Sequence, residues 1–92
     1  MAKIVVVKNA YEADVKAIKV ASEHEADILV FMDKLGATAL GDTRWYHVGL
    51  FQATTKLLWV GADDPSDLKV FFVEDASQAR WVTEDHPLRG QL

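Results

Sequence analysis

Hydrophobic and polar residues come in blocks along this chain rather than singly. The runs KIVVV, KAIKV, LVFMD, TRWYH, KLLWV and KVFFV are rich in β-branched and aromatic residues, and polar stretches such as NAYEAD and SEHEAD separate them. Setting the units in register at Ala2, Val15, Ile28, Asp42, Thr55, Leu68 and Trp81 gives a spacing of 13, with Gly41 as one extra residue. The twelfth place is small in every complete unit: Ala13, Ala26, Ala39, Ala53, Ser66, Ala79. Places two to six read as strands of about five residues. Val5, Val7, Phe71 and Val73 fall on one face and Ile4, Val6, Val70 and Phe72 on the other, so both faces are apolar and both call for a cover.

The second half of each unit carries helix-start chemistry. Asn9 precedes Glu12 by three, as Ser22 precedes Glu25 and Asp75 precedes Gln78, the spacing of a capping box. In GADDPSD, Asp63 or Asp64 serves as cap and Pro65 falls in the first turn. Each helix has room for about one turn, too short to persist unless packing holds it. Only about eight residues join one strand to the next. Tight hairpins use two to five and regular parallel crossovers ten or more, so spacing leaves strand direction open. The fold class expected is α+β, mainly β: one domain over residues 1–92, with seven short strands alternating with one-turn helices in a closed repeat.

The 13-residue units, with strands such as KVFFV and corners such as NAYEAD and SEHEAD, resemble a family of small bacterial domains over nearly the whole chain. That resemblance implies a torus of seven short strands and helical turns, threaded into a deep seven-crossing knot. It transfers no catalytic residue. Unit four, through Gly41, Thr43 and Arg44, and unit seven, through Glu84, Asp85 and Pro87, depart most from the pattern.

Composition narrows the function classes. Half of the residues are hydrophobic, which excludes disorder, and the absence of cysteine removes disulfides and thiolate chemistry. The opening MAKIVVVKNAYEAD lacks the apolar length of a signal peptide or a membrane span, so a cytoplasmic protein with no membrane partner is expected. A net charge of −4 speaks against nucleic acid, even though Lys3, Lys16, Lys56 and Lys69 recur at the second place. Those lysines read as charged strand entrances, with Asp14–Lys16 and Asp67–Lys69 sharing a face as surface ion pairs.

Candidate chemistry is sparse. His24, His47 and His86 are far apart in sequence, so no metal is expected. Gly-rich phosphate loops and nucleophile elbows are missing, and no cofactor or enzyme activity is expected. Trp45, Trp59 and Trp81 each fall in a strand-like half-unit and read as core. The one place singled out for ligand binding is unit four, where Arg44, Tyr46 and His47 could engage an anion or small ligand. The leading expectation is a non-enzymatic structural or interaction module, self-associating through an apolar surface. Small-ligand or anion binding is the alternative.

Overall fold

A computed structural model describes residues 2–34, 41–61 and 63–92. Ala39, one of the small twelfth places, lies outside them. Seven strands run through the described residues: β1 (Ala2–Val6), β2 (Val15–Lys19), β3 (Ile28–Met32), β4 (Arg44–His47), β5 (Thr55–Trp59), β6 (Leu68–Val73) and β7 (Arg80–Trp81). Hydrogen bonding orders them β4-β1-β5-β2-β6-β3-β7, and β3 also pairs with β4. The first six strands therefore close into a barrel, and every pairing among them is parallel. β7 is antiparallel to β3 and sits beside its first residues, whereas β4 pairs with its last.

The chain circles this barrel twice. β1, β2 and β3 make one lap, β4, β5 and β6 a second, and each second-lap strand settles between strands of the first. The link from β1 to β2 thus passes outside β5, and the link from β4 to β5 passes outside β1.

Eight residues suffice for a parallel return because the strands are strongly sheared. Ile4 lies opposite Thr55, Leu57 opposite Val15, Ala17 opposite Leu68 and Val70 opposite Ile28. Each neighbour is displaced by two residues, about 7 Å of slip for every ~4.8 Å sideways, a tilt above 45°. At that tilt a five-residue strand rises only about 10 Å along the barrel axis, and the return path shortens with it.

The register also moves one boundary. Trp45 lies opposite Ala2, and Arg44 opposite Phe31, which matches the two-residue step only if unit four starts at Thr43 rather than Asp42. Trp45 then occupies the third place with Ile4, Ala17, Val30, Leu57 and Val70. All six are fully buried and point inward as one cluster. A two-residue insertion before β4 and a one-residue deletion after it look, in sequence, like a single insertion and a damaged unit.

Outside the barrel, the corners cover the second apolar face. Ala26 and Ala79, at the small twelfth place, pack with Leu29, Phe31, Phe71 and Val73. The corners are three-residue 3-10 turns at Ala10–Glu12, Glu23–Glu25, Leu50–Gln52 and Ala76–Gln78. The expected capping boxes do not form: Asn9 and Ser22 make no side-chain cap bond, and their carbonyls accept the Glu12 and Glu25 N–H groups instead. In every one of these corners, that of Asp75 included, the i+3 N–H that a capping box would use is taken by the backbone carbonyl, the bond of a 3-10 turn. Asp75 is different: its carboxylate accepts the Ser77 N–H at 3.0 Å, a bond that holds its pKa below the ordinary value. The described part of GADDPSD holds turn rather than helix, with Asp64 accepting the Gly61 N–H.

Candidate functional site: the two ends of the barrel

Inward-facing places form layers, as in other filled barrels. The fifth-place layer, at the carboxyl ends of the six strands, consists of Val6, Lys19, Met32, His47, Trp59 and Phe72. Every member but Val6, joined by Ile18 and Val60, lines a cavity of about 680 Å³. Its floor is aromatic. Trp59 lies 6.4 Å from Trp45 at a tilted angle, and Phe72 meets both tryptophans edge-on, with centroids 5.9 Å apart. Lys19 and His47 are exposed and supply the polar edge. The Lys19 ammonium stands 5.3 Å over the Phe72 ring.

The other end is plugged by the chain's own tail. Leu92 joins the core cluster, and Leu88 packs against it. The Leu92 carbonyl accepts the hydroxyls of Thr54 and Thr55 at 2.8 and 3.0 Å. Asp42 holds this plug: its buried carboxylate accepts the Leu92 N–H, the Gly90 N–H and the Trp81 indole N–H, while its carbonyl accepts the Trp45 indole. Gly41 and Gly90 on either side take positive φ near 82° and 83°, which other residues rarely adopt. Asp27 fastens the tail's start. Its carbonyl accepts the N–H groups of Val82 and Thr83, and its carboxylate accepts the Thr83 hydroxyl and lies 3.5 Å from His86. Trp81 stacks on His86 at 5.3 Å.

Asp42 belongs to a set. In the corrected frame it immediately precedes a unit, as do Asp14, Asp27, Thr54 and Asp67. Each of these four straddles one residue of the neighbouring strand from the other lap. Asp14 donates its N–H to the Lys56 carbonyl and accepts the Lys56 N–H, and Asp27 does the same with Lys69, Asp67 with Lys16 and Thr54 with Lys3. By this rule Asp42 would face Leu29, but β7 pairs with that residue, so the carboxylate is free to hold the tail. The acidic residues thus engage lysine backbones across laps. The expected surface ion pairs, Asp14–Lys16 and Asp67–Lys69, do not form. Same-face neighbours along a strand lie about 7 Å apart, whereas the slip of two residues brings Asp and the partner strand's backbone together.

The predicted ligand residues are divided by strand alternation. His47 reaches the mouth, two places along from the inward Trp45. Arg44 and Tyr46 occupy the places between and fall on the outer face, where the shifted frame makes Arg44 an equivalent of Lys3, Lys16, Lys56 and Lys69. These five cations lie on five consecutive strands, β4-β1-β5-β2-β6, with Asp14, Asp67, Asp27 and Thr54 set among them. His24 sits on an exposed corner and His86 in the tail. No group of three or more potential metal ligands occurs among the described residues, and no described helix is long and apolar enough to cross a membrane. Sequence reading missed Lys19, Met32, Trp59 and Phe72 as mouth residues. Their signal was present as the fifth place of each unit, legible once Trp45 is assigned to the third.

Comparison with known families places the whole arrangement. A model of the 7(1) septoil knot domain matches residues 1–82, and the chain belongs to that family. No curated protein and no solved structure matches it. The match covers all seven strands and most of the two-lap path, and it ends where the tail turns under the barrel.

Proposed function

We propose that this septoil knot domain is a non-catalytic binding module that takes a small ligand into the barrel mouth. One observation carries this reading: a cavity of about 680 Å³ with an apolar aromatic floor and two polar edge groups, at the carboxyl ends of parallel strands. Mouths of barrels and the carboxyl ends of parallel strands are common ligand positions, and mostly apolar walls with few polar groups are the usual lining. Lys19 and His47 are the titratable groups of the described lining. Titrating the ¹⁵N-labelled protein with indole, a neutral aromatic probe, is expected to shift amide signals of Met32, His47, Trp59 and Phe72. Shifts confined to other parts of the chain, or none at millimolar probe, would retire the reading.

A second reading, an interaction module that pairs with its own copy, is favoured by a separate feature. Phe51 is 100% exposed at the tip of its corner, beside Leu50, which shares a surface depression with Tyr11 of the neighbouring corner. Sedimentation should then show a dimer that Phe51→Ser returns to monomer, and a monomeric parent at high concentration would dismiss it.

A further inference from the structure

We infer that the mouth is selective for planar aromatic anions, an inference that rests on the mouth being a binding site. The charge of the lining is the first ground. The chain carries a net charge of −4, with 14 acidic residues against 10 basic ones, yet the described lining of this cavity contains a lysine and a histidine and no carboxylate. An acidic protein that keeps its acids away from one apolar cavity makes that cavity complementary to negative charge.

The state of Lys19 is the second ground. Its ammonium makes no ion pair, and its one described contact is with the face of Phe72 at 5.3 Å. A ring face satisfies an exposed ammonium only weakly, so a carboxylate or sulfonate arriving there gains a charge-assisted partner and displaces little. His47 can add an N–H donor in its neutral form and carries charge when protonated. A cationic ligand would meet the Lys19 ammonium as repulsion.

The shape of the floor is the third ground. Trp59 and Phe72 meet edge-on, with an interplanar angle of 62°, which leaves ring surface open to a flat guest. Met32 beside them is adaptable filler. The guest that fits all three features has a flat apolar body, placed over Trp59 and Met32, and one anionic group reaching Lys19 and His47.

Three probes of one shape test this: indole-3-acetate (anion), indole-3-acetamide (neutral) and tryptamine (cation), each titrated into the ¹⁵N-labelled parent and K19M. The acetate is expected to bind at least tenfold more tightly than the amide, and the cation most weakly. K19M, which keeps the apolar stem on Phe72, should weaken the acetate at least fivefold and so close most of the gap, with the shifts of all three probes still centred on the mouth. Equal affinities, or a preference for amide or cation, with shifts still centred on the mouth, would overturn the anion selectivity while the binding reading stands. A tenfold gap that survives K19M would overturn the role given to Lys19. If none of the three probes moves mouth signals, the binding reading itself fails.

Discussion

The two ends of this barrel are built from the same repeat and have opposite fates. At the base, Asp42, Thr54 and Thr55 take up the backbone of the tail, and Leu92 fills the space beneath the first-place layer. At the mouth, the equivalent fifth-place layer ends in half-buried aromatics and exposed polar groups over a cavity. Because all six strands are parallel, the ends already differ, one carrying amino ends and the other carboxyl ends. The tail after β7 widens the difference by turning under one end, where Leu92 and Leu88 pack against the core. A closed parallel repeat offers two unlike openings, and here the segment after the last strand seals the amino end as core and leaves the carboxyl end a concave surface.

The sharpest way to break the contrast is Asp42→Ala. Its carboxylate accepts three donors, two of them backbone N–H groups of the tail, in a buried position. Leaving several buried donors unpaired together with a cavity predicts a loss of about 3–5 kcal/mol. Equilibrium urea unfolding would measure it, and hydrogen exchange should rise first in residues 82–92. Asp42→Asn offers little relief, because its amide NH₂ must face one of the same donors. A loss below 1 kcal/mol with the tail still protected would mean that Leu92 packing alone seals the base.

How much of this was legible beforehand follows from which forces act locally. The strands and their two apolar faces could be read directly. KIVVV and KVFFV place Ile4 and Val70 inward, Val5 and Phe71 outward, as alternation requires. The small twelfth residues and closure on a shared interior were equally visible, because Ala26 and Ala79 have to admit a neighbouring strand face. Shear is another matter. It is fixed between strands 42 or 51 residues apart, and no local pattern encodes it. Without shear, neither the parallel direction nor the true partners of Asp14 and Asp67 could be derived. The same gap hid the frame of unit four. Trp45 matched the outward fourth place by type, since Phe31 and Phe71 are there too, and only the cross-strand register places it among the inward residues. Once that frame was off by one, Arg44, Tyr46 and His47 looked like a special cluster. They are three ordinary places of the repeat, one basic, one apolar and one at the mouth.

A smaller effect tests whether Asp42 is special through its place or through its partners. Asp14 occupies the equivalent place but is exposed, and its carboxylate accepts a single N–H, that of Lys56 at 3.0 Å. Asp14→Ala is expected to cost about 1 kcal/mol, the net worth of one exposed hydrogen bond, because water can replace the lost acceptor. Asp67→Ala should behave alike through Lys16. Losses as large as that of Asp42→Ala would show that stitching of the two laps, rather than the tail, dominates stability at the base.

The mouth supplies the smallest expected change. His47 is exposed, has no described hydrogen bond or ion pair, and lies two places along from the fully buried Trp45 on the same strand. Removing an unpartnered side chain from an open rim leaves no buried group unsatisfied and no enclosed cavity, so His47→Ala should alter stability by less than about 0.5 kcal/mol. The comparison with Asp42 then spans a single strand and its entrance. Five residues apart, one substitution should cost about 3–5 kcal/mol and the other less than about 0.5 kcal/mol. A loss above 1 kcal/mol for His47→Ala would mean that the mouth, too, is a structural closure, and would remove the ground for treating it as the end kept open for a ligand.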